Sequence, residues 1–169
     1  RFLDDLEERL IAKLCSDGGC GQPAEVAWRA RDLLEDRLMG ALHGRVFATR
    51  ADESEADARL AATLGRLRER LGPEALEVDT RFRDARFNRF DAAQLELRAL
   101  SDESTPRGKL DCVTRALQQL KHGLVESLVA AGQTAVLGAD ELFPVVVLVL
   151  LRASPHRLRS NLLYMSRWR

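Results

Sequence analysis

The chain has 169 residues, with 26 Lys+Arg matched by 26 Asp+Glu and a formal net charge of zero. That length suits one domain, or one domain with an appendage. A hydrophobic content of 46% excludes a disordered chain, and the lack of surplus cations argues against a general nucleic-acid binder. The chain opens on Arg1 rather than Met, as expected of a piece of a longer protein.

Leu3, Leu6, Leu10 and Leu14 recur at helical spacing and stop at Ser16-Asp17-Gly18-Gly19, which predicts a short amphipathic helix and a glycine connector through residue 22. A second helix follows Pro23 and runs to about Phe47. Its apolar stripe is Val26, Ala30, Leu33, Leu34, Leu38 and Leu42, with Trp28 and Met39 at the margins. A third, with Ser54 as its expected cap, carries Leu60, Leu64, Leu67 and Leu71 and ends at Gly72-Pro73.

Residues 73–90 read as irregular. Within them, Arg81-Phe82-Arg83-Asp84-Ala85-Arg86-Phe87-Asn88-Arg89-Phe90 interleaves arginine with aromatics, a pattern that can stack bases. Phenylalanines pinning a loop to a bundle, with their arginines in solvent, explain it better, since Asp79, Asp84 and Asp91 offset the charge. A short helix spans about Ala92 to Leu100. Thr105-Pro106 then opens a long one, with a cap and a proline at its first position, and Leu110, Val113, Leu117, Leu120, Leu124 and Leu128 on one face until Gly132.

The run Leu142–Leu151 holds four valines and suits a buried strand by propensity. No other segment reads as a strand to pair with it, so a helix buried on all sides is the consistent alternative. Pro144 is then expected in the first turn, where backbone amides lack intrahelical partners. Ser154-Pro155 closes that helix, and Ser160-Asn161 is expected to cap a last one. The fold class is therefore all-α, a helical bundle.

Three cysteines without paired spacing, Cys15, Cys20 and Cys112, suggest reduced thiols in a cytoplasmic protein and neither a disulfide framework nor a metal site. The ten-residue apolar run is about half of what a bilayer span requires. His43, His122 and His156 are scattered, and no nucleophile motif or phosphate loop occurs, so no cofactor and no hydrolase or transferase site is expected. From Arg152 to Arg169 there are five arginines and no acid. Such an end suits peripheral contact with an anionic membrane or an acidic partner, and equally plain solvation.

The segment Gly138-Ala139-Asp140-Glu141-Leu142-Phe143-Pro144-Val145-Val146-Val147-Leu148-Val149 precedes Ser154-Pro155, Leu158, Ser160-Asn161 and Tyr164-Met165. Together they resemble the core of a vacuolar-protein-sorting-nine (Vps-nine) domain, in which an acidic motif and a proline open an apolar helix and a Ser-Asn motif follows. Pro106-Arg107-Gly108-Lys109-Leu110-Asp111-Cys112-Val113 is similar to a further family motif, with Gly108 where the family usually has Asp. The resemblance covers about residues 25–169, leaving 1–22 as an added N-terminal helix and connector.

The resemblance implies an all-helical guanine nucleotide exchange factor for a Rab GTPase of the Rab-five class, acting without covalent chemistry and recruited to early endosomes. It also implies Asp140 as the acidic finger that enters the GTPase nucleotide site. Pro144 matches the proline required on the same helix, Asn161 the family asparagine, structural or close to the interface, and Leu142, Phe143 and Val147 supply part of a groove for the GTPase. The family's later tyrosine-bearing segment has no counterpart before Arg169, so the domain is expected to be C-terminally incomplete. The alternative is a helical module that binds a GTPase or an adaptor without accelerating exchange.

Overall fold

A computed structural model describes residues 2–16, 23–83, 90–133 and 136–168. Among these, all regular structure is helical: α1 (Phe2–Ser16), α2 (Pro23–Val46), α3 (Ala51–Arg70), a 3-10 turn (Thr80–Phe82), α4 (Phe90–Ala99), α5 (Pro106–Ala130), α6 (Ala139–Ala153) and α7 (Leu158–Trp168). The valine-rich run is thus a helix. Contacts group the chain into Arg1–Arg45 and Val46–Arg169; the expected boundary near residues 22–25 falls between α1 and α2. The glycine connector and residues 84–89 of the arginine–aromatic stretch lie outside the described residues.

In the first unit, Leu33, Leu38 and Leu42 of the expected stripe are exposed. Helical periodicity marks a stripe but does not supply a cover for it. The 15-residue α1 is too short to line the 24-residue α2 along its length.

The second unit is built on α5. Thr105 accepts the Gly108 N–H at 3.0 Å and Pro106 fills the first turn, as expected. At the other end Gly132 takes φ +67, and Gln133 N–H reaches back to the Leu128 carbonyl at 2.9 Å, the geometry glycine permits after a helix. The buried face of α5 is rotated from the expected one. It runs through Lys109, Cys112, Ala116, Leu120, Leu124 and Leu128, whereas Leu110 and Leu117 are exposed. The small Cys112 and Ala116 occupy the covered positions, which a count of large apolar residues overlooks.

Around Leu120, Leu124 and Leu128 gather Val78, Phe82, Ala93 and, from α6, Val145, Leu148 and Val149. Phe82 and Phe90 are buried, so the aromatics described in that stretch do serve the core. Helix α6 is not buried all round: Phe143 is 70% exposed and Pro144, Val146 and Val147 are half-buried. Its core face is the Val145/Leu148/Val149 side, at the helical spacing of three and four.

Two starts differ from expectation. Helix α3 is capped at Arg50, with Ser54 already inside it. Helix α7 begins at Leu158, so Ser160 and Asn161 lie within it and are buried. A tertiary partner explains Ser160 and a local one Asn161. Asp57 of α3 takes the Ser160 N–H, and the Asn161 Nδ2 donates to the His156 carbonyl at 2.9 Å.

Candidate functional site

The start of α6 concentrates the candidate residues. Gly138 is the N-cap, and its N–H donates to Glu141 Oε2 at 2.9 Å. This Gly-x-x-Glu closure satisfies a backbone donor that no intrahelical carbonyl reaches. Glu141 also pairs with Arg81, whose guanidinium in turn binds Asp79 at 2.7 Å and the Gln133 side chain at 3.3 Å, with the Phe82 ring 5.3 Å away. The Gly138 N–H and the arginine hold the Glu141 carboxyl below its usual range, and Arg81 holds Asp79 down to about 2. Both acids are therefore ionised across the physiological range.

Asp140 sits beside this network and outside it. Its side chain is exposed, and among the described residues no hydrogen bond or ion pair involves it. An aspartate at a helix start is ordinarily a cap. Here the cap is Gly138 and the closing acid is Glu141, so that ordinary role is already filled.

Pro144 is the sixth residue of α6, not a member of its first turn. Having no N–H, it gives nothing to the Asp140 carbonyl four residues back, where a standard helix would place a bond. The Asp140 carbonyl thus loses its usual helical donor at the residue whose side chain has no partner among the described residues. Phe143, three positions on from Asp140, shares its helix face and is mostly exposed; Val147, one turn further, is half-buried on the same side. Leu142 lies against the core cluster and Asn161 is completely buried. The Asn161 side chain donates to the His156 carbonyl in the turn between α6 and α7.

The Lys109 motif is internal too. Lys109 has no exposed surface; its ammonium donates to the Leu100 carbonyl at 2.9 Å and lies 4.7 Å from the Phe47 ring. At Gly108 a Cβ would fall 2.5 Å from a Glu103 carboxylate oxygen. The acid of Glu103 thus occupies the space beside this backbone.

Sequence comparison matches residues 90–169 to the family model described as Vacuolar sorting protein 9 (VPS9) domain. Residues 90–169 form a VPS9 domain. The matched region begins with α4 and contains Gly138, Asp140, Glu141, Phe143 and Pro144, while Asp79 and Arg81 precede it. Vacuolar protein sorting-associated protein 9A of Arabidopsis thaliana is 33% identical over 151 residues, 89% of this chain and 28% of that protein. Its namesake from Oryza sativa subsp. japonica is 29% identical over 168 residues, 99% of this chain and 34% of that protein. Receptor-mediated endocytosis protein 6 of Caenorhabditis briggsae is 30% identical over 138 residues, 79% of this chain and 12% of that protein. The chain spans about a third or less of the length of these relatives.

Sequence reasoning located the VPS9 helix and its acidic start but missed Arg81, which lay in a stretch read for its aromatics. The usable signal was Glu141, three residues after the cap, since that position fastens helix starts. No helix among the described residues is long and apolar enough to cross a membrane.

Proposed function

We propose that this VPS9 domain promotes GDP release from a small GTPase of the Rab family, of the Rab-five class, in endocytic traffic, with Asp140 as the group that enters the nucleotide site. The observation that carries the reading is the exposed Asp140 carboxylate, without a partner among the described residues, on a helix start that its neighbours fasten. A GTPase holds GDP through a phosphate-loop lysine and a magnesium ion on the diphosphate. A carboxylate brought there pairs with that lysine, repels the phosphate and displaces the metal's support.

A loss of about 4 to 6 kcal/mol of GDP binding in the release step corresponds to roughly 10³- to 10⁴-fold in rate. Nothing in this requires a nucleophile or a general base. The side chains of Phe143 and Val147, on the Asp140 face, offer apolar contact for the GTPase surface, and Pro144 withholds one helical hydrogen bond from the Asp140 carbonyl. Leu142 packs against the core from α6, and Asn161 ties the start of α7 to the turn between α6 and α7. A soluble domain of this kind would be recruited to early endosomes through its parent protein and its partner.

The test is release of a fluorescent GDP analogue from a panel of Rab GTPases. Wild type is expected to accelerate release from a Rab-five-class member, and Asp140→Ala to lose that acceleration. Because Asp140 makes no side-chain bond among the described residues, the variant should keep its stability within about 1 kcal/mol, the scale of a helix-dipole contribution. An equally active Asp140→Ala would sink the assignment. Binding of the GTPase without any acceleration by wild type would favour the non-exchanging interaction module.

A further inference from the structure

We propose that Arg81 is a positioning residue for Asp140, fixing the direction of the α6 start through Glu141. The inference rests on the exchange reading for its functional half, and on side-chain geometry for the rest. Arg81 precedes the VPS9 match and belongs to the irregular stretch between α3 and α4. Its guanidinium nevertheless joins three separate segments: Asp79 in its own turn, Gln133 just beyond α5, and Glu141 in α6. Asp79 fastens the arginine twice, accepting the Arg81 backbone N–H at 2.9 Å and its side chain at 2.7 Å. Phe82, the next residue, is buried in the core and anchors the turn.

The chain of constraint is therefore core, Phe82, Arg81, Glu141, Gly138 amide. Glu141 is bound on both sides, to the amide of the cap and to the arginine, and Asp140 is its immediate neighbour. A finger that must meet a lysine and a phosphate inside another protein needs its carboxylate set in advance, since a misplacement of an ångström costs up to about a hundredfold in rate. Pro144 makes the need sharper. It removes a backbone bond from Asp140, so the α6 start depends more on the side-chain clamp. A guanidinium suits the task because its fork binds several acceptors at once, which an ammonium does not.

The experiment uses the whole 169-residue chain as wild type, Arg81→Met, Arg81→Lys and Asp140→Ala. Amide hydrogen exchange over residues 138–143 reads the clamp, and fluorescent GDP release from a Rab-five-class GTPase reads its use. Arg81→Met is expected to lose protection over 138–143 while α5 keeps its own, and to lower kcat about tenfold to a hundredfold with KM changed less than about threefold. Arg81→Lys should restore part of the kcat, which a purely structural defect mended by packing alone would not follow.

Unchanged protection at 138–143 in Arg81→Met would overturn the clamp, as would kcat within twofold of wild type. Protection lost throughout α5 and α6 would show a general structural role and overturn it likewise. If Asp140→Ala exchanges as fast as wild type, the exchange reading fails and the functional half falls with it, while the protection data still decide whether Arg81 holds the turn.

Discussion

Asp57 of α3 accepts both the backbone N–H of Ser160, at 3.1 Å, and its hydroxyl, at 2.5 Å, across 103 positions of sequence. Ser160 is the third residue of α7, whose backbone N–H has no carbonyl within the helix to meet. A side chain from another helix therefore does the work of a cap. Glu53, one turn earlier, pairs with Arg167 at 3.2 Å near the other end of α7. These two acids bind α3 along the last helix.

Asp57→Ala should consequently destabilise the fold by about 1–3 kcal/mol, because it strands a buried N–H and hydroxyl. Denaturant unfolding checks the loss. Nucleotide-release activity per folded molecule should stay at the wild-type level, since Asp57 anchors α7 and not the α6 start.

Pro144→Ala should move stability and activity in opposite directions. An alanine at the sixth position of α6 supplies the missing N–H to the Asp140 carbonyl and removes a residue that costs up to about 3 kcal/mol inside a helix. A higher Tm, by calorimetry, with slower GDP release is the expected pair of results.

Phe143→Ser tests the apolar contact. At 70% exposure the ring contributes little to the core, so stability should change by less than about 0.5 kcal/mol. The exchange assay should show KM rising severalfold with kcat less affected, the pattern of a lost binding contact.

Lys109 gives the protein a pH dependence. Burial pushes the ammonium down from its usual value to about 8, with Glu103, Cys112 and Asp102 opposing the shift. The unfolded chain holds its proton to higher pH than the native state does, so stability rises with pH through 8. Between pH 7 and 9 this amounts to about 1 kcal/mol in wild type and vanishes in Lys109→Met. Burial raises the Cys112 thiol and the Tyr164 hydroxyl, which therefore titrate first in the unfolded chain and oppose the trend at higher pH. Unfolding free energies of both proteins, measured at several pH values in that window, check the difference.

Local chemistry was enough to read much of this protein. Thr105-Pro106 and Gly132 mark the two ends of α5 because caps act over three or four residues. The valine-rich run could be assigned as a helix because no partner strand existed. The acidic start and the proline of α6 were visible as a motif for the same reason, being contiguous in the chain.

Tertiary structure decided what contiguity does not encode. Periodicity chose Leu110 and Leu117 for the inner face of α5, but close packing at Cys112 and Ala116 turned Lys109 inward instead. Ser160 and Asn161 looked like a cap until Asp57, a hundred residues earlier, supplied it from α3. Most of all, Asp140 and Glu141 are neighbouring acids at one helix start, and their spacing from the cap separates them only in part. The Gly138 N–H fastens Glu141 locally, but the ion pair with Arg81, sixty residues away, comes from the fold, because an ion pair depends on distance in space, whatever the distance along the chain; among the described residues Asp140 has no such partner.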